Sequence, residues 1–237
     1  TYFLYSGIKY DMRLKTLIKS LSLRFFIGAV TTIAVLSALL LAGCSGGAIR
    51  LVARFFIVYC YNVSSAYASD NLTSAVQSAG GAGYELTYNG REYVCYAAYS
   101  LQGEAFARAA SLTRTGLECG VITLLRTEFD IESYYASRHA KLYERTLIQI
   151  KDAAEEGERA AELMSAGKDA DARRNLSDVA SVLRATLTDN VATCFTAPLV
   201  RLANKCEWCA SNIVVLTRDV YEFQLMAVDV LFNTPLT

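Results

Sequence analysis

Cys206, Glu207, Trp208 and Cys209 make a C-x-x-C, the spacing of a redox pair or of half a zinc site. Both thiols fall on an apolar helical seam beside Trp208, and there is no second C-x-x-C and no histidine pair. Reactive thiols need an electropositive, partly exposed setting, so these two read as small core residues. His139 is the only histidine. That removes H-E-x-x-H and multi-histidine metal sites, and it leaves a Ser-His-Asp triad without a supporting motif. His139 reads instead as lying on a solvated helix flank. Gly80-Gly81-Ala82-Gly83 precedes a strand and not a helix N-terminus, so it is no phosphate cradle. The run Lys151 to Arg159 (KDAAEEGER) reads as a solvated helix face. Among the seven cysteines, Cys60 and Cys95 fall on strands that the topology below makes neighbours, so a disulfide between them is conceivable. The chemistry-bearing residues imply no enzyme, no cofactor and no metal.

The 237 residues carry equal numbers of acidic and basic side chains and are 53% hydrophobic. Balanced charge argues against nucleic acid as a partner. The apolar excess is concentrated early. Phe25 to Ala42 holds no charged residue, long enough for a short transmembrane helix or the core of a signal peptide. Lys9, Arg13, Lys15, Lys19 and Arg24 precede it, so residues 1–24 form a basic cytoplasmic segment and the remainder is expected outside the membrane. The membrane segment, residues 25–43, ends in Leu41-Ala42-Gly43-Cys44, which resembles a bacterial lipobox with Cys44 as the lipidated residue. An uncleaved anchor and a lipoprotein both hold the domain at the outer membrane surface.

The elements that follow come in a definite order. RFFIVYCY, Arg54 to Tyr61, is an apolar run of strand length, typical of a strand buried on both faces. Ala68, Leu72, Ala75, Val76 and Ala79 have helical spacing, closed by Gly80-Gly81. Asn89-Gly90 marks a two-residue hairpin that pairs Tyr88 with Arg91, Leu86 with Tyr93 and Tyr84 with Cys95. These six share one face, on which Tyr84, Leu86 and Tyr93 read as core against the two helices and Tyr88 sits near the turn, while Glu85, Thr87, Glu92, Val94 and Tyr96 share the outer one. Ser100 caps a second helix with Ala105, Ala109 and Leu112 inward, and Leu117 to Leu125 is a fourth strand. The fold class is α+β: a β-α-β-β-α-β, or split βαβ (ferredoxin-like), four-stranded antiparallel sheet over residues 52–126. Residues 130–237 form a C-terminal helical hairpin or bundle. Ala136, Ala140, Tyr143, Leu147, Ile150, Ala154, Gly157, Ala161 and Met164 form one seam, in which Ala154, Gly157 and Ala161 are small and admit a close partner; Leu199 to Val230 form another, and Leu176, Val179 and Leu183 mark a helix between.

From about Val52 to Leu125 the chain resembles a SPOR domain, the sporulation-related repeat of bacterial envelope proteins. The resemblance rests on RFFIVYCYNVSSAYASDNL, SAGGAGYEL, REYVCYAAYS and LQGEAFARAASL. It implies a non-catalytic domain that binds peptidoglycan glycan strands stripped of stem peptides, in cell division or sporulation. It also implies binding through the open sheet face and the loop after the first strand. On this chain those positions are Thr87, Glu92, Val94 and Tyr96 with Tyr61, Asn62, Ser64 and Ser65. Aromatic faces stack on sugar rings while amides and carboxylates bond their hydroxyls. The chain departs from the family where Val58 or Tyr59, and Cys60, replace its first-strand glutamine and glycine, and where its third-strand arginines are missing. The first strand is apolar on both faces, so the open face needs a cover: the C-terminal helices, a second copy in a homo-oligomer, or a helical protein partner. Any of these gives an alternative reading, a structural or assembly module that binds no glycan.

Overall fold

Strand β1, Ala48–Val63, forms around the Phe55 run and is longer than that run at both ends. In this computed structural model the described residues are 48–63, 71–130, 139–188 and 193–235. The segment Phe25 to Ala42 and Cys44 lie outside them. Among the described residues no helix is long and apolar enough to cross a membrane.

Helix α1, Leu72–Ser78, follows, its first turn capped by Asn71, whose Oδ1 accepts from the Thr73 N–H at 2.9 Å. Then come β2, Tyr84–Tyr88, and β3, Arg91–Tyr99. They are joined by a turn with positive φ at Asn89 and Gly90, the conformation that makes Asn-Gly so strong a hairpin signal. Helix α2, Gln102–Arg114, buries Ala105, Ala109 and Leu112 as their spacing predicts, although Leu101 and not Ser100 occupies its N-cap. Strand β4, Leu117–Asp130, completes an antiparallel sheet of order β2-β3-β1-β4. The hairpin register is the predicted one: Tyr84 with Cys95, Leu86 with Tyr93, Tyr88 with Arg91.

Four helices follow: α3, Ala140–Ser165; α4, Asp169–Thr188; α5, Thr193–Ser211; and α6, Thr217–Asn233. Gly167, at positive φ, ends α3, and the Lys168 N–H closes back on the Leu163 carbonyl at 2.8 Å. Of the first seam, Tyr143 to Ala161 is buried as predicted, Ala140 and Met164 at its ends are half-buried, and Ala136 lies outside the described residues. Its small residues do admit a partner: a Cβ on Gly157 would lie 3.2 Å from Gln224 Cβ and 3.3 Å from Phe223 Cδ1, both on α6. The seam from Leu199 to Val230, by contrast, is not one helix. It breaks after Ser211, leaving Ile213 and Val214 83% and 79% exposed. Three successive β-branched residues, Ile213 to Val215, favour the break, and Asp219 restarts the helix by accepting from the Leu216 N–H at 2.8 Å.

Both faces of the sheet are covered. Opposed residues on antiparallel strands share a face, so the side chains sort into two sets. Tyr96 lies on one, its hydroxyl donating to the Ala79 carbonyl at the end of α1 and the Arg108 guanidinium of α2 over its ring. On the other face Phe55 meets Phe232 of α6 edge-on, and Tyr84 donates to Asp229 of α6 at 2.7 Å. The hairpin faces are therefore inverted from the sequence expectation. Tyr84 and Leu86 look toward the C-terminal helices, and Tyr96, 4% exposed, lies against the α1 and α2 side. Alternation along the strands groups the residues correctly but does not say which group meets which helices, because both faces are apolar along β1. Covering Phe55 and Ile57 with α6 and α3 removes side chains each worth about 1.5–3 kcal/mol from water.

Candidate functional site: a tyrosine patch at the end of the sheet

Where α6 stops covering the sheet, its face carries a cluster of tyrosines. Tyr59 packs edge-on against Tyr93 across the β1–β3 pairing, ring centroids 5.0 Å apart, and its ring lies 6.0 Å from that of Tyr61. Tyr61 is 60% exposed, while Tyr59 and Tyr93 are half-buried. Two local features build this cluster. A β-bulge in β1 between Cys60 and Asn62 turns Tyr61 out of strict alternation and places Asn62 opposite Glu118 on β4. Gly120, opposite Tyr59, leaves room for the ring: a Cβ there would lie 2.8 Å from Tyr59 Cζ and Oη. The Asn62 amide donates to Glu118 Oε2 at 3.1 Å. The patch thus offers aromatic faces flanked by an amide and a carboxylate, the surface that takes a sugar ring and its hydroxyls.

The residues that the sequence nominated for glycan contact do not form one surface. Tyr61 and Asn62 belong to this patch, and Ser64 and Ser65 lie outside the described residues. Thr87 and Glu92 are exposed and opposed to one another on the opposite face, and Val94 sits half-buried across from Cys60. Tyr96 is enclosed. Besides Ala79 and Arg108 it meets Tyr221 at 5.8 Å, and a Cβ on Gly81 would lie 2.3 Å from its ring. Gly81 is thus required by the neighbouring ring and not, like Gly80, by a left-handed φ. Tyr59, Tyr93, Glu118 and Gly120 complete the patch without having been nominated. The one sequence signal for it was Gly120, since a glycine inside a strand marks close approach by a neighbour.

Other chemistry-bearing groups are placed as follows. Cys206 and Cys209 are fully buried; their thiols donate to the carbonyls of Leu176 at 3.1 Å and Asp219 at 3.6 Å. Burial raises both thiols, Cys209 to about 12, which suits packing and not thiolate chemistry. His139 is exposed at the N-cap of α3. Cys60 and Cys95 point to opposite faces, because the partner of Cys95 is Tyr59, so the disulfide suggested by strand order does not fit the register. Within the charge run, Glu158 is 7% exposed and not solvated. Its carboxylate oxygens accept from the Ser100 N–H at 3.1 and 3.0 Å. Glu104 and Glu162 place carboxylate oxygens within 4.8 Å of it, the arrangement among the described residues closest to a set of metal ligands. Desolvation raises the Glu158 carboxyl, and its two acidic neighbours add to the rise.

Comparison with protein-family models, with curated proteins and with solved structures finds no match. None of the three identifies a SPOR domain.

Proposed function

We propose that this chain is a non-enzymatic, membrane-tethered envelope protein whose SPOR-like domain binds peptidoglycan glycan strands through the tyrosine patch at the end of its sheet. The observation that carries the reading is Tyr61, exposed beside Tyr59 and Tyr93 and flanked by the Asn62–Glu118 pair. The broad sheet face that the SPOR resemblance would use is filled by this chain's own α6, so the contact moves to the uncovered end. The apolar segment Phe25 to Ala42 and the lipobox-like Leu41 to Cys44 support a tether with the domain outside the membrane. The test is co-sedimentation with sacculi whose stem peptides have been removed by amidase, alongside a SPOR domain of known binding. The protein pellets with the denuded sacculi and not with untreated ones. Failure to pellet while the control does rejects the glycan reading.

A second reading, an assembly module that binds no glycan, is favoured by one observation: the filled sheet face leaves no broad groove for a glycan strand. Under that reading Tyr61 is a protein contact. A solution mass that falls when Tyr61 is replaced, with no wall binding before or after, selects it.

A further inference from the structure

The register of β1 and β4 brings together two cysteines that lie far apart in sequence. Cys60 is directly opposed to Cys119. Opposed residues on antiparallel strands hold their Cα atoms about 4.5–5.5 Å apart with side chains on one face, inside the roughly 4.4–6.8 Å that a disulfide spans. Both side chains lie on the face of the sheet that carries Val58 and Val121, with no residue between them along either strand's pairing. They differ in access: Cys60 is buried at 2% exposure, whereas Cys119 is half-buried. Cys95 lies on the opposite face, and the Cys206 and Cys209 thiols donate to backbone carbonyls elsewhere.

We propose that Cys60 and Cys119 are an oxidisable dithiol which closes a cross-strand disulfide on meeting a low-molecular-weight disulfide. Cys119 is the attacking group. It is the more accessible thiol, and its interaction with the adjacent Cys60 lowers its pKa while raising that of Cys60. The Cys119 thiolate attacks one sulfur of the external disulfide, forming a mixed disulfide and expelling one thiolate. Cys60 then attacks the Cys119 sulfur, its proton passing to the second leaving thiolate. Two protein thiols are oxidised, one external disulfide is reduced to two thiols, and two electrons are transferred in all. The bond joins two adjacent strands of the sheet beneath α1 and α2, so it fastens the domain without rearranging it. It also closes a long loop, the kind whose closure most restricts the unfolded chain. The inference is independent of the glycan reading, because no residue of the tyrosine patch takes part.

Peptide mapping tests it on the full chain in detergent. The folded protein is exposed to oxidised glutathione, its remaining thiols are alkylated, and it is digested without reductant. The expected map joins the Cys60 and Cys119 peptides and separates them on reduction, with Cys95, Cys206 and Cys209 alkylated only after unfolding. Cys60→Ser is expected to stop at a stable glutathione adduct on Cys119, and Cys119→Ser to leave Cys60 unmodified. Alkylated Cys60 and Cys119 in the oxidised folded wild type, or a bridge from either to another cysteine, overturns the proposal. The wild-type map decides the matter even if a serine variant does not fold.

Discussion

Glu158 is a buried carboxylate whose nearest acidic neighbours, Glu104 and Glu162, would each disfavour its charge, yet its oxygens are needed by the Ser100 N–H. Its carboxyl is raised above the ordinary 4.5, chiefly by desolvation. A raised carboxyl binds its proton more tightly in the folded state than in the unfolded one. Its contribution to stability is therefore complete below the unfolded value and is lost as pH rises through the folded value. Glu158→Gln keeps an acceptor for Ser100 and removes the charge. Urea titrations from pH 4 to pH 8 are expected to show the wild type losing stability relative to the variant on the alkaline side of 4.5, with the variant at least as stable at pH 7. A wild type that gains on the variant as pH rises would refute this. The residue also shows what sequence can and cannot convey at this scale. The Asn89-Gly90 turn and the buried Cys206 and Cys209 follow from local chemistry and spacing. The burial of Glu158 depends on β3, a strand far away in the chain, and nothing in KDAAEEGER distinguishes it from its solvated neighbours.

Strand β3 runs nine residues and its partner β2 only five, so beyond Cys95 the β3 edge has no strand beside it. The chain closes this edge group by group. Ala82 donates to the Tyr96 carbonyl at 2.9 Å. The Gln224 side chain accepts from the Ala98 N–H at 3.3 Å and donates to the Ala98 carbonyl at 2.9 Å. Glu158 then takes the Ser100 N–H. An open strand edge is a template for pairing with another chain, and here side chains of α3 and α6 occupy it. Gln224→Leu preserves bulk but leaves two buried backbone groups unsatisfied, at about 1–3 kcal/mol each. The expected loss in urea-induced unfolding is roughly 2–6 kcal/mol, with increased self-association; a change under about 0.5 kcal/mol would show that Gln224 is not needed there. Strand order and hairpin register were legible because turn chemistry and alternation are local. The inverted hairpin faces and the break at Asn212 were not, since the first depends on which face α6 covers and the second on a β-branched run competing with a heptad pattern.

For the molecule as a whole, the sheet is enclosed between α1 and α2 on one face and the C-terminal helices on the other, so the cover that the apolar first strand calls for is the first of its three candidates. Tyr84–Asp229, Phe55–Phe232 and Arg126 Nη1 to the Phe232 carbonyl at 3.1 Å tie the C-terminal helix to the sheet. The region read as SPOR-like and the helical region are thus packed on a common core, and the accessible chemistry lies at the sheet's end. That placement separates two surfaces. Tyr61 and Asn62 are on the tyrosine patch; Thr87 and Glu92 are exposed on the opposite face of the same sheet. The most direct measurement is a binding titration of denuded glycan strands against the wild type, Tyr61→Ala and the pair Thr87→Ala with Glu92→Ala, each checked for unchanged thermal unfolding. Tyr61→Ala is expected to weaken binding about tenfold or more, equivalent to about 1.4 kcal/mol, with the Thr87 and Glu92 variants unaffected. Loss of binding on replacing Thr87 and Glu92, with Tyr61→Ala binding like the wild type, would contradict the account.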